Sequence, residues 1–298
     1  MLTITTEQKK MIVAALIEQR AKFGGTDAQF AKQFDINGTV YSRLKNDHDT
    51  AGLLKDAQWL NIARELDMPL NERKWVMART EVYNMIEEDV LFCKEFAKGR
   101  ICVDDCGIGK TYSAKYLSRK LDNCFYVDAS QAKTKQLFIR LLGKAIGVDA
   151  QDKLAKVKAN IKYALGMLPN PIIIIDEAGD LEYNAFLELK EFWNATVGAC
   201  GWYLMGADGL RAKIERGISN KKVGYAELFS RYSESYTTIV PAEKNEKLSF
   251  YKKLITDVLT PNMKNKTKLN EIVRRCLNND SGNIGGLRRA ESLLILNQ

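Results

Sequence analysis

Histidine is almost missing from this chain: His48 is the only one in 298 residues. A single imidazole excludes a multi-histidine metal centre, and a Ser/His/Asp or Cys/His triad would need that one side chain wherever its nucleophile lay. The six cysteines (Cys93, Cys102, Cys106, Cys124, Cys200 and Cys276) form no C-x-x-C pair. Structural zinc is therefore not expected, and the thiols suit a reducing compartment. With 5 prolines and 20 glycines the chain is neither collagen-like nor low in complexity. No apolar run reaches the roughly 18 residues that argue for a membrane-spanning helix. Met1 to Arg20 places Glu7, Lys9 and Lys10 ahead of its apolar residues, with no small-residue cleavage site after them, which argues against a signal peptide. A cytoplasmic protein with no membrane partner is the expectation.

What is present is the make-up of a folded protein, 46% apolar and 28% charged. At roughly 150 residues per domain the length predicts about two domains. The net charge of +8 favours an anionic partner, nucleic acid first.

The hydrophobic pattern divides the chain into 1–70, 71–241 and 242–298. In the first part, Met11, Ile12, Ala15, Leu16 and Phe23 lie at helical spacing, and Gly24-Gly25 end that helix. Thr26 with Gln29 three residues on forms a capping box for a second helix that buries Phe30, Ala31 and Phe34. Asp35-Ile36-Asn37 makes a turn, and Gly38 to Lys45 reads as a third helix with Val40, Tyr41 and Leu44 inward. This is helix-turn-helix spacing. A fourth helix over 53–66 ends at Asp67-Met68-Pro69-Leu70-Asn71, the expected domain boundary. From Trp75 a helix to about Lys98 leads into strands near 100–104, 123–128, 171–176, 201–206 and 235–240, separated by helices. That alternation predicts an α/β fold, a parallel sheet covered by helices. After Pro241, residues 243–298 read as three helices broken at Pro261 and at Asn279 to Asn283.

At the end of the first strand stands Asp104-Asp105-Cys106-Gly107-Ile108-Gly109-Lys110-Thr111, followed by a helix. It resembles the P-loop. Successive backbone N–H groups and a helix N-terminus would meet a phosphate, Lys110 would reach the β and γ phosphates, and the Thr111 hydroxyl would hold Mg²⁺. The candidate ATP contacts are Cys106, Gly107, Ile108, Gly109, Lys110, Thr111 and Tyr112. Asp104 stands where the motif has its first glycine, and its charge, with Asp105 beside it, is compatible with phosphate only if the carboxylates turn away. The β-branched run Ile172–Ile175 leads directly into Asp176 and Glu177. Such a run predicts a strand buried on both faces, with ligands at its carboxyl end. Asp176 is placed to hold the Mg²⁺ shell and Glu177 to activate water.

Leu228-Phe229-Ser230-Arg231-Tyr232 resembles the arginine-finger box of AAA+ proteins, in which Arg231 would reach a neighbouring subunit's γ-phosphate. Gly285-Gly286-Leu287-Arg288 resembles their sensor-2 motif, whose Arg288 would touch the nucleotide from a helical lid. After the fourth strand, where that family has a small polar residue, this chain has Gly206-Ala207-Asp208, and Ala207 cannot polarise water. Thr26 to Asp47 resembles the helix-turn-helix of phage repressors, which makes Asn37, Thr39, Ser42 and Arg43 candidate DNA contacts. Lys133-Thr134-Lys135 follows the second strand, where AAA+ assemblies carry channel-lining loops. A second basic cluster comprises Arg211, Lys213, Arg216, Lys221 and Lys222. Neither cluster has an aromatic interleaved in sequence, which suits tracking of a duplex backbone.

In order and size the whole chain is similar to the AAA+ ATPases of the phage Mu B transposition type. That resemblance implies an N-terminal helix-turn-helix DNA-binding domain, an AAA+ core and a helical lid. It also implies ATP and Mg²⁺ as cofactors, and assembly as a homo-oligomer, a helical filament or ring, on double-stranded target DNA. The expected partner is a transposase, which the protein recruits and activates. Two other readings share the nucleotide motifs: a replication initiator or helicase loader, and a transcriptional regulator that uses nucleotide as a switch.

Overall fold

Five short strands set the frame: β1 (Gly99–Val103), β2 (Cys124–Asp128), β3 (Ile172–Asp176), β4 (Gly201–Gly206) and β5 (Tyr236–Thr237). The structure, a computed structural model, describes residues 4–47, 50–66, 68, 75–277 and 284–296. All strand pairs are parallel, in the order β2-β3-β4-β1-β5, which requires a crossover between successive strands. Every residue of β3 is buried, which is why an unbroken isoleucine run serves where an alternating pattern would not.

The pleat sends alternate side chains to two layers. On one face Cys102, Ile172, Ile174, Tyr203 and Met205 meet α5 (Glu81–Phe96), α6 (Lys110–Lys120) and α12 (Lys244–Asn262). On the other, Ile101, Val103, Ile173, Ile175, Trp202 and Leu204 meet α7 (Lys135–Ile146), α8 (Leu154–Met167), α9 (Tyr183–Ala195) and α10 (Asp208–Ser219). The short helix α11 (Tyr225–Arg231) leads into β5. β5 is much shorter than the predicted 235–240, because the chain beyond it turns to give the backbone N–H groups of Ile239 and Val240 to Asp104.

Among the described residues four helices precede α5 and the sheet: α1 (Thr6–Ala21), α2 (Asp27–Gln33), α3 (Gly38–Asn46) and α4 (Asp56–Glu65). The capping box expected at Thr26 is present, with Gln29 N donating to Thr26 Oγ1 at 3.2 Å and Thr26 N to Gln29 Oε1 at 2.8 Å. Asp35 takes the left-handed turn between α2 and α3 at φ +54°, a conformation that Asp enters more readily than most residues. α4 is shorter than the predicted 53–66, and its deepest side chain is Trp59, outside the predicted apolar face. The apolar residues of these helices are continuous with the sheet layer that contains Phe125 and Val127.

Among the described residues three α-helices follow β5: α12, α13 (Leu269–Leu277) and α14 (Leu287–Leu296). Pro261 sits inside the last turn of α12, which ends one residue later. The expected break at Asn279 to Asn283, His48, and the expected boundary at Asp67 to Asn71 apart from Met68 lie outside the described residues. Among the described residues no helix is long and apolar enough to cross a membrane. The fold is thus the α/β P-loop architecture with a helical lid and a helical N-terminal region.

Candidate functional site

β1 delivers the chain to a loop that only glycine accommodates at two points: Gly107 at φ +76° and Gly109 at φ +104°, the latter capping α6. The first turn of α6 begins with Lys110, so the helix N-terminus faces the loop. The Lys110 side chain is buried, and Nζ donates to the carbonyls of Asp104 and Asp105 at 2.8 and 2.7 Å. Thr111 and Tyr112 are exposed beside it. The loop forms one wall of a cavity of about 390 Å³, within the usual size of a small-ligand site.

Asp104 and Asp105 do turn away. The Asp104 carboxylate accepts hydrogen bonds from Ile239 N and, at 2.9 Å, from Val240 N; its other oxygen takes Asp105 N at 2.7 Å. Asp105 points to the lid, bonded to Lys247 at 2.6 Å and to the Tyr251 hydroxyl at 2.9 Å. Burial pushes the Asp105 carboxyl up, but the Lys247 and Tyr251 bonds outweigh it and hold it below the ordinary carboxylate range. The two acids that depart from the motif therefore tie the loop to the start of the lid.

Asp176 ends β3, almost wholly buried, and accepts from Tyr126 Oη and from Glu177 N, each at 3.0 Å. Glu177 has the left-handed φ of +49°, which carries its carboxylate out to the cavity wall. Burial, followed by the neighbouring Asp176 charge, raises the Glu177 carboxyl; Lys110 pulls the other way. Among the described residues no group of His, Cys, Asp and Glu gathers as a self-sufficient metal site. Thr111 lines the cavity and Asp176 does not; a hydroxyl and a carboxylate are oxygen ligands of the kind a Mg²⁺ takes alongside phosphate oxygens and water. The left-handed glycines, the buried Lys110 and the cavity in front of them fit a nucleoside triphosphate.

The other walls come from far along the chain. Leu287 N donates to Gly107 O at 2.8 Å, setting the start of α14 on the loop, and Arg288 lines the cavity. Trp75, Val76, Met77 and Ala78 close the far end. Asn262 holds that segment, accepting from Val76 N at 2.7 Å and donating to Val76 O at 3.0 Å, while Trp75 Nε1 reaches Glu291 at 3.2 Å. These residues were not singled out in the sequence, and no local pattern marks contacts between positions so far apart. Ala207 lines the cavity, and Asp208 beside it does not. Arg231 also lies away from the cavity: its guanidinium bonds to Asn194 Oδ1 at 2.7 Å and to Glu227 O, and faces the Trp193 ring.

Of the DNA candidates, Asn37 caps α3 by accepting from Thr39 N at 2.8 Å, and Asn37, Thr39, Ser42 and Arg43 are all exposed. Thr134 caps α7. Lys133 and Lys135 are both ion-paired, to Asp180 at 3.0 Å and to Glu188 at 2.6 Å. The second basic cluster does have aromatic neighbours in space, a correction to its sequence pattern: Arg211 faces Tyr236 and Lys222 faces Tyr183.

A family model described as an AAA domain matches residues 101–214, which run from β1 into α10. An AAA-type ATPase domain is present in this chain. No curated protein matches it.

Proposed function

We propose that the protein is an ATP-dependent DNA-binding protein of DNA transposition. It oligomerises as a helical filament or ring on double-stranded target DNA, hydrolyses ATP, and recruits and activates a transposase. What supports this reading is that the exposed residues at the start and outer face of α3 and the P-loop cavity belong to one packed unit. Gln33 Nε2 of α2 donates to Ala145 O of α7 at 2.6 Å, and Gly24 N donates to Asn123 Oδ1 at 2.6 Å.

In this reading Lys110 exchanges two backbone carbonyls for phosphate oxygens, and Thr111 and Asp176 hold the metal. ATP with Mg²⁺ supplies the phosphoryl group and the neutralising charge. Glu177 orients water and takes its proton, helped by a carboxyl that environment has raised. Arg288 touches the nucleotide from the lid. Arg231, outside its own cavity, serves that of a neighbouring subunit. Asn37, Thr39, Ser42 and Arg43 face DNA, and Lys133 and Lys135 join them by exchanging carboxylate for phosphate.

Electron microscopy with duplex DNA tests the reading. Regular assemblies with ATP, and none without it or with Lys110→Ala, are expected. Protein that remains unassembled on duplex in the presence of ATP overturns it.

A further inference from the structure

The two basic clusters of the core differ in what already neutralises them. Lys133 and Lys135 each hold a carboxylate. In the second cluster, Lys213, Arg216 and Lys222 stand around a surface cavity of about 390 Å³ between α10 and α11. Among the described residues none of these three is ion-paired, and no carboxylate lines the cavity. Asn220 adds an amide to the same rim.

The cavity is held open by packing. A Cβ on Gly217 would lie 2.3 Å from the Tyr225 ring, so this position of α10 carries no side chain. Tyr225 in turn stacks on Phe186 and Tyr183, with centroids 5.0 and 6.0 Å apart. The loop from Asn220 to Gly224 reverses tightly: Lys222 N donates to Gly217 O at 2.8 Å, Lys221 takes φ +51°, and Gly224 takes φ +93°. This puts the Lys222 ammonium 3.8 Å from the centre of the Tyr183 ring, a cation–π contact that orders it without cancelling its charge. Lys213 is fixed by backbone carbonyls, donating to Gly179 O at 2.9 Å and to Leu181 O. Burial holds its ammonium below the ordinary lysine value; the Asp180 and Glu182 charges partly offset this and the Lys222 charge reinforces it. An anion entering the cavity relieves that mutual repulsion.

We propose that the cavity formed by Lys213, Arg216, Asn220 and Lys222 is a phosphate-binding site for the backbone of duplex DNA. It rests on the DNA-binding reading above and moves the main phosphate grip of the core from Lys133 and Lys135 to α10. Three cations, two of them held in place by Lys213's carbonyl partners and Lys222's ring contact, and an amide around a small opening fit a phosphodiester, whose charge is spread over two oxygens and which carries no sequence information. Binding here needs no ion pair to be broken, whereas Lys133 and Lys135 must first release Asp180 and Glu188.

The test is the salt dependence of duplex binding by the full chain with ATP, read by anisotropy of a labelled duplex of mixed sequence. Arg216 and Lys222 are exposed, so Arg216→Ala with Lys222→Ala leaves the core packing intact. The double variant is expected to bind every sequence more weakly and to flatten the log–log salt slope by about 0.9 for each lost phosphate contact. Arg216→Lys should restore most of its share of the slope. Lys133→Ala with Lys135→Ala should change the slope less. If wild type binds duplex and the Arg216/Lys222 variant keeps its slope, this inference is overturned and the DNA-binding reading stands. If wild type binds no duplex, both fall. Inorganic phosphate, added at constant ionic strength, separates the sources: a variant that loses only phosphate binding and keeps the duplex slope marks a site for the free anion and overturns the DNA assignment.

Discussion

The nucleotide cavity and the seam beneath the N-terminal helices are built by different means. The cavity wall is a short contiguous stretch whose work is done by backbone: two left-handed glycines, a helix N-terminus and one buried lysine. The seam is a set of single contacts between distant segments. Asn123 N donates to Lys22 O at 2.9 Å, Gln33 reaches the Ala145 carbonyl, and the Phe23 and Phe125 rings meet edge-on at 6.1 Å. Chemistry is thus concentrated in a few residues, and cohesion is distributed over many. Substitutions in the cavity should change function with little effect on stability, and those in the seam the reverse.

Glu177→Gln gives the largest effect on the first side. Glu177 is exposed and, among the described residues, its side chain makes no hydrogen bond that supports the fold, so the variant should melt like wild type and still bind ATP. Loss of the general base should slow hydrolysis by about 10²–10⁴-fold. Steady-state phosphate release checks this, and unchanged turnover would remove Glu177 from the catalytic role.

Asp104→Gly breaks the division. It restores the glycine that the motif prefers, so the motif alone predicts a neutral or improved loop. The structure predicts the opposite, because the Asp104 carboxylate satisfies the buried Ile239 N–H and its neighbour at Val240. Two orphaned donors at about 1–3 kcal/mol each should lower stability by roughly 2–6 kcal/mol, seen as an earlier urea midpoint at constant slope. An unchanged midpoint would show that this residue is part of the loop alone.

The sequence already displayed the features that act locally. The isoleucine run, the glycine spacing and the Thr26 capping box each dictate backbone within a few residues, and each appears where expected. Asp104 could be placed in the loop but not understood, since its partners lie at Ile239 and Val240. The same holds for Asn262 on Val76 at the far end of the cavity, and for Trp59, whose burial depends on helices packed around it. Lys133 and Lys135 read as free cations in sequence; only the approach of Asp180 and Glu188 from another segment shows that they are paired.

Gly147→Ala probes the seam with the smallest expected effect. Gly147 ends α7 in the left-handed conformation at φ +86°, and a Cβ there would lie 2.3 Å from the Gln29 carbonyl oxygen of α2. Backbone strain at a left-handed residue costs about 1 kcal/mol or somewhat more. The contact itself cannot be relieved by rotating a side chain, because the atom met is backbone, so α2 must move off α7. That movement weakens the Gln33 bond to Ala145 O and loosens the ion pair of Lys144 with Asp35, at 2.8 Å. None of these residues lines the cavity. Amide exchange should therefore accelerate in 6–46 while ATP affinity stays within about twofold of wild type, a difference below 0.5 kcal/mol. If ATP affinity falls in step with N-terminal protection, seam and cavity are one cooperative unit and the comparison fails. If neither changes, α2 accommodates the methyl group without leaving α7, and the seam is softer than its close contacts imply.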